Sequence, residues 1–395
     1  MGTRTFFDNP TSPTMGEIIY FFQAKFPELA NDMKNSNHAH EDKTPNLYHM
    51  EDSVWSHTMM VCQEARNDHK IVKLSALLHD VGKPEAREEI EANQPKPIHN
   101  GEERSGEKET STKKVLFRGH EGISFWKSID VLYSLKSEGV INEDEMNETL
   151  VIISLHGILY NRIKDGAEFE PEKITHIFKT REGYERFIKH TKNDALGRFR
   201  KPSASSNGDF GESLRESIYT PSVFENNKKV ITPKMPNELI VMVGLPASGK
   251  STHTKKECFL KHEIISRDEI VVEFGGNIGL STYSDIFKSL TKEDHLEIDE
   301  ILFKKFTEAK KLKKDIIIDM TNMSRKSRNK WISGIKGYNK KAVVFLSGES
   351  ILNARNMLRI TEGKHINRLV YENMKKAFLA PTLHEFDEVE FIHID

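Results

Sequence analysis

The chain has 395 residues, 37% hydrophobic and 30% charged, with a formal charge of −2 at pH 7. That length suits two domains better than one core, and the near-neutral balance excludes a global attraction to nucleic acid, leaving only local basic patches for it. No run approaches the ~20 apolar residues of a membrane helix, and the N-terminus lacks the apolar core of a secretory signal.

Two distant cysteines, Cys62 and Cys258, exclude a disulfide framework and a cysteine zinc site. Buried free thiols in a reducing cytoplasm, with no membrane partner, are the expectation.

In chain order, Ser53–Arg66 puts Val54, His57, Thr58 and Val61 at helical spacing. Ile71–Val81 is a second amphipathic run, and Glu121–Ser134 carries Ile123, Phe125, Trp126, Ile129 and Leu132 in a third. No strand alternation is evident in this half, and the polar, Gly/Ser-rich Asn100–Lys114 reads as an exposed loop. Ser, Gly, Asn and Pro then accumulate over Lys201–Pro221, and the junction extends to Pro236. Beyond it, Glu238–Val243, Asp315–Asp319 and Lys341–Leu346 read as buried strands spaced by helices. The fold expected is therefore an all-α domain over 1–200, a linker over 201–236, and an α/β domain with a parallel sheet over 237–395.

The α/β half opens with Gly244-Leu-Pro-Ala-Ser-Gly-Lys-Ser-Thr252, between a strand and a helix. Glycines let backbone approach phosphate without a Cβ in the way, and the following helix N-terminus points its N–H groups at the anion. This is a P-loop: Gly244, Ser248, Gly249, Lys250, Ser251 and Thr252 bind the nucleotide, Lys250 at the β/γ-phosphates and Ser251 at Mg²⁺. The next strand tip reads Ile264-Ile-Ser-Arg-Asp268. An aspartate there can take the proton of an attacking hydroxyl, or simply cap a helix. Asp319, at another strand end, can hold Mg²⁺ or acceptor; no Asp-Glu pair follows it, which favours transfer over hydrolysis. Arg355 and Arg359, four apart with Lys364 and Arg368 beyond, suit either a lid over the nucleotide or a solvated helix face.

Together these pieces resemble the phage-type 5′-hydroxyl polynucleotide kinases, through Gly244–Thr252, Ser266-Arg-Asp268, Asp319-Met-Thr-Asn322 and Ala354-Arg-Asn-Met-Leu-Arg359. The resemblance implies ATP or another NTP with Mg²⁺ or Mn²⁺, Asp268 as general base on a 5′-hydroxyl, and Arg355 and Arg359 in a lid. One departure stands out. The family commonly has an arginine three residues after the base, where this chain has Val271, so Arg267, Arg325 or Arg328 would have to meet acceptor phosphate.

The helical half carries His57, His79-Asp80 at the end of an apolar run, His120, His156 and Asp194. A charged pair at a buried helix end is costly unless metal or partners satisfy it. Imidazoles and carboxylates without thiolate suit Mn²⁺, Ni²⁺, Co²⁺, Fe or Zn²⁺. The order resembles the HD phosphohydrolases, with His57, His79, Asp80 and Asp194 in the defining positions. Lys83-Pro84 and Gly119-His-Glu-Gly122 look like the HD domains of tRNA nucleotidyltransferases, which implies action on 2′,3′-cyclic phosphates and 2′-phosphates. His120 and His156 then suit a second metal position or phosphate contacts, and Lys83 a bound phosphate. His49 is a candidate outer partner, whereas His38, His40, His69 and His99 have polar neighbours and read as solvated.

The whole chain resembles the fused HD-domain polynucleotide kinases of bacteria and phages. That implies an end-healing enzyme acting on RNA or DNA ends ahead of a separate RNA ligase. The basic runs Arg325–Trp331 and Gly197–Lys201 agree with a polymer partner, and equally with solvated faces. Two other readings stay open: an HD nucleotidase fused to a small-molecule kinase, and a catalytically silent HD module that positions RNA.

Overall fold

The computed structural model describes residues 6–41, 43, 46, 49–93, 98–99, 102–103, 111–158, 174–199, 224–225, 235–256, 259–277, 279, 283–361 and 363–394. Two units result, one from Met1–Asp165 with Glu185–Thr220, the other from Gly166–Tyr184 with Pro221–Asp395. The expected linker falls mostly outside the described residues.

Side chains that satisfy the first orphan N–H groups set the helix starts of the first unit. Thr14 and Glu17 form a capping box for α1 (Met15–Lys25), and Pro27 occupies the first position of α2 (Pro27–Asn35). The Ser53 hydroxyl accepts the Ser56 N–H to open α3 (Val54–Glu64). Helix α4 (Lys70–Leu78) is buried from Leu74 through Leu78 and at Ile71 and Val72. Apolar on nearly all sides, it is the centre of the unit. The short α5 (Lys83–Ala86), α6 (His120–Ser137), α7 (Glu143–Leu155) and, from Glu185 on, α8 (Arg181–Leu196) complete the helical set.

One addition was not legible. Strand β1 (Glu88–Asn93) pairs antiparallel with β4 (Ser111–Leu116), and β2 (Ile98–His99) pairs with β3 (Glu102–Glu103). The expected loop Asn100–Lys114 therefore holds strand at Glu102–Glu103 and from Ser111 onward. The register sets Glu91 opposite Lys113, so this ribbon of charged residues lacks the apolar alternation that marks a half-buried strand.

In the second unit, β5 (Asn237–Val243), β6 (Glu263–Ser266), β7 (Ile316–Asp319), β8 (Tyr338–Ser347) and β9 (Glu388–Ile394) form one parallel sheet, ordered β6-β7-β5-β8-β9. Ile316–Ile318 and Leu239–Val243 are completely buried, as continuous apolar runs in a sheet covered on both faces should be. The chain leaves β5 toward β6 on one side and later toward β8 on the other. The crevice at the carboxyl ends of β5 and its neighbours is thus the topological switch point, where such folds bind ligands. Between the strands lie α9 (Lys250–His253), α10 (Arg267–Asn277), α11 (Tyr283–Ser289), α12 (Lys292–Lys311), α13 (Arg325–Ile332), α14 (Glu349–Leu358) and α15 (Arg368–Ala377). Among the described residues no helix is long and apolar enough to cross a membrane.

Candidate functional site

In the first unit the structure brings His57, His79, Asp80, His120, His156 and Asp194 together around one carboxylate. His57 comes from α3, His79 caps α4, His120 opens α6, His156 caps α7 and Asp194 lies on α8. Asp80 faces two ways. Its Oδ2 is 3.4 Å from His57 Nε2 and 3.2 Å from His79 Nε2, while its Oδ1 is 3.3 Å from His120 Nε2 and 3.8 Å from His156 Nε2. Asp194 Oδ1 closes the first group at 3.1 Å from His57 Nε2.

Each imidazole is held from behind. The Nδ1–H groups of His79, His120 and His156 donate to the carbonyls three residues back, Ala76, Phe117 and Ile153, at 3.0, 2.8 and 2.7 Å. His57 Nδ1 donates across the chain to Gly197 O at 2.9 Å. A carbonyl only accepts, so all four rings turn Nε2 inward, the arrangement that fixes metal-ligating histidines. Both Asp80 oxygens are buried and, among the described residues, accept no hydrogen bond of good geometry, although Lys83 Nζ stands 2.7 Å from Oδ2 as an ion-pair partner. A carboxylate left so in the interior is expensive, and this donor set fits divalent cations. His57, His79 and Asp80 form one such group, and Asp80, His120 and His156 another.

Charge agrees with that reading. Burial would raise the Asp80 carboxyl, but His79 and Lys83 outweigh it and hold it well below its ordinary range. Burial opposes the shift at Asp194 too, and Arg198 and His57 overcome it. Burial pulls His57 and His120 down, and their carboxylate neighbours more than offset this and raise both. Burial, with His120 and His79 nearby, lowers His156 to about 4. Two glycines permit the assembly. A Cβ on Gly82 would lie 2.6 Å from His120 O, and one on Gly197 would lie 2.7 Å from Val61 N.

Four residues around this cluster were misread or missed. His38, expected in solvent, is 1% exposed and packs against His49 and His57. His190, one turn before Asp194, is buried against His79, and burial pushes it well below the ordinary histidine value. Glu51 Oε1 lies 2.7 Å from His49 Nδ1 and 3.3 Å from His57 Nδ1. Arg198, read as part of a basic patch, donates to Asp194 Oδ2 at 2.6 Å. His49 does sit behind His57, with ring centroids 5.1 Å apart. His69 is exposed as expected, His40 pairs with Glu89, and the His99 side chain lies outside the described residues.

In the second unit the loop Gly244–Gly249 runs from β5 into α9. Gly249 takes φ +93° and Ala247 takes φ +66°, a left-handed conformation that costs energy in a residue with a Cβ. Lys250 Nζ folds back to donate to Gly244 O and Leu245 O at 3.0 and 2.7 Å. Burial lowers its ammonium to about 8, with the charges of Asp319, Arg359 and Asp268 acting on it. Asp319, raised by burial, is hydrogen-bonded by Ser251. Asp268 is exposed in the first turn of α10 and accepts the Tyr283 hydroxyl at 2.9 Å. Arg359 ends α14, with its Nη1 buried and without a hydrogen-bond partner among the described residues; Arg355 is half-buried one turn earlier. Lys250, Ser251, Asp268, Asp319 and Arg359 thus converge at the crevice. Tyr283 had no signal in the sequence, lying 15 residues from its partner.

Two expectations fail here. Arg328 is not available to an acceptor: it is fully buried and paired bidentately with Glu385 at 2.8 and 3.0 Å. Trp331 is 1% exposed and donates to Asn322 Oδ1, so the run Arg325–Trp331 turns its indole and one guanidinium into the core. Arg267 is engaged by Asp299 and His295, Arg368 pairs with Glu372 at the surface, and Arg325 is half-buried at the start of α13.

The fold and this crevice define the C-terminal unit as a P-loop kinase domain. The family comparison bears on the same stretch. Residues 239–381 match the model of the AAA domain family. The chain is similar, at 27% identity over 158 residues, to the bifunctional polynucleotide phosphatase/kinase of Schizosaccharomyces pombe; the match takes 39% of this chain and spans about a third (33%) of the length of that relative. Solved structures similar to it include a Chloroflexus aurantiacus protein assigned as a kinase, with TM-score 0.32, 14% identity, 41% of this chain and 87% of that one. A gluconokinase from Sinorhizobium meliloti follows, with TM-score 0.25, 15% identity and coverages of 41% and 85%.

Proposed function

We propose that the chain is a bifunctional end-healing enzyme for nucleic acids. The region 1–200 acts as an HD-type metal-dependent phosphoesterase on 2′,3′-cyclic phosphate or 2′- or 3′-phosphate ends. The region 237–395 phosphorylates 5′-hydroxyl ends of RNA or DNA from ATP or another NTP. One observation carries the reading: a single chain unites a cation-type His/Asp cluster with a kinase crevice, and such a pair can treat both ends of one broken strand. The similarity of the chain to a polynucleotide phosphatase/kinase supports the choice of substrate.

In the phosphoesterase, His57, His79, Asp80 and Asp194 would hold one divalent ion, and Asp80, His120 and His156 a second. Ions such as Mn²⁺, Ni²⁺, Co²⁺, Fe or Zn²⁺ would supply Lewis-acid polarisation of a phosphoryl group and activation of water. The backbone bonds to Nδ1 keep the rings aimed, and Lys83 offsets the negative charge of the phosphate. In the kinase, Mg²⁺ or Mn²⁺ at Ser251 and Asp319 would neutralise the nucleotide's phosphates. Lys250 exchanges the loop carbonyls for β/γ-phosphate oxygens. Asp268, oriented by Tyr283, takes the proton as the 5′-oxygen attacks the γ-phosphorus and its bond to the β-phosphate oxygen breaks. Arg359 and Arg355 stabilise the charge spread over the transferring group.

The test is a cleaved RNA bearing a 2′,3′-cyclic phosphate and a 5′-hydroxyl, incubated with manganese or nickel and ATP, each terminus scored separately. Asp80→Ala should stop healing of the 3′ end and leave 5′ phosphorylation intact; Asp268→Ala should do the reverse. Phosphorylation of a free nucleoside in preference to the oligonucleotide would overturn the polymer assignment. Phosphate release that survives Asp80→Ala would overturn the metal assignment.

A further inference from the structure

We infer that His38, His49 and Glu51 form a separate cation site, in the wall of the His/Asp cluster, that takes a divalent transition-metal ion. The site goes beyond the two cation positions assigned above and stands on its own residues. One donor atom from each of the three side chains lies within 4.8 Å of the other two. His38 is 1% exposed, and among the described residues neither of its ring nitrogens has a hydrogen-bond partner. An imidazole buried with both nitrogens unsatisfied is rare and costly, and a ligand in the triad removes that cost.

The surroundings hold the donors in place. The His38 ring stacks on His49 with centroids 4.6 Å apart and planes 15° apart, and meets Phe117 edge-on at 5.5 Å. Glu51 Oε2 accepts the Phe199 N–H at 3.1 Å, which leaves Oε1 directed at His49, 2.7 Å away. An ion here displaces the proton shared by His49 and Glu51, as metal binding to such ligands requires. Two imidazoles and one carboxylate make the donor set of His₂Glu zinc sites and of two-histidine, one-carboxylate iron sites. Calcium and magnesium prefer all-oxygen shells, so the chemistry selects Zn²⁺, Fe²⁺, Mn²⁺ or Co²⁺.

The alternative is a triad that shares only a proton, with His38 as a packing ring. Metal content separates the two. The full chain is stripped with chelator, reloaded with Co²⁺ or Zn²⁺ without nucleotide, freed of excess metal, and measured by plasma mass spectrometry. His38→Phe keeps the stack and Glu51→Gln keeps the shape; each should carry one equivalent fewer than the wild type, with a matching loss of Co²⁺ visible absorption. His38→Gln serves if His38→Phe fails to fold by circular dichroism. Unchanged metal content in folded variants at both positions would overturn the inference. Asp80→Asn is measured alongside: retention of full metal content there counts against the two-ion reading of the main cluster, and leaves the triad to stand or fall on its own variants.

Discussion

Arg328→Ala should unfold the kinase unit well before it affects acceptor recognition. The guanidinium is 0% exposed and makes five polar contacts: two with Glu385 and one each with the carbonyls of Asn322, Met323 and Leu379, at 2.8–3.3 Å. Truncation leaves the Glu385 carboxylate, itself 7% exposed, without its counter-charge. Removing one partner of a buried pair costs about 3–5 kcal/mol. For a domain of this size each kcal/mol moves Tm by about 2–4 °C, so a fall of about 10 °C is expected. Thermal unfolding of the full chain, followed at the transition that ATP raises, measures it. The double variant Arg328→Met/Glu385→Leu should recover much of the loss, because a buried pair replaced by apolar groups is often near neutral. A Tm unchanged in Arg328→Ala, with a raised KM for an oligonucleotide acceptor, would refute the core assignment and return this arginine to the candidates for acceptor contact.

Three further outcomes are expected. Lys250 is lowered to about 8 by burial and is charged only below that value, so ATP affinity should weaken about tenfold between pH 7 and pH 9; calorimetry should show the slope in the wild type and a flat profile in Lys250→Met. Arg198→Ala removes the 2.6 Å bond to Asp194 and should weaken metal binding to the His/Asp cluster about 10–100-fold, read by competition with a chromogenic chelator. Tyr283→Phe deletes the hydroxyl bonded to Asp268; a hydrogen bond to a charged group, here in a partly open crevice, corresponds to about a tenfold loss of kcat, with ATP affinity unaltered.

The residues legible in the sequence were those whose spacing repeats a chemical requirement. Gly244–Ser251 showed itself because a phosphate cradle demands glycine, lysine and hydroxyl at fixed offsets. His79-Asp80 stood out because a polar pair ends an apolar run. His190 and His38 carried no such signal; their role comes from packing against histidines far away in the chain. Arg328 and Trp331 looked like a basic aromatic surface because their partners, Glu385 and the Phe303 and Phe306 rings, lie on other elements. Three apart on α13, they share one face of the helix, and that face is the buried one. The β1–β4 ribbon stayed hidden because charge, not alternating apolar residues, lines its strands.

Gly82 and Gly197 give the His/Asp cluster a mechanical property. At each, main chain rests directly on main chain, beside His120 in one case and on the helix that carries His57 in the other. Side chains can pivot to absorb a change in size, but backbone in van der Waals contact hardly yields. A guest of larger radius must therefore be met by turning imidazoles and carboxylates, because the helices have no slack to spread. Any ion the cluster took would meet that stiffness, two methyl groups' worth of missing carbon.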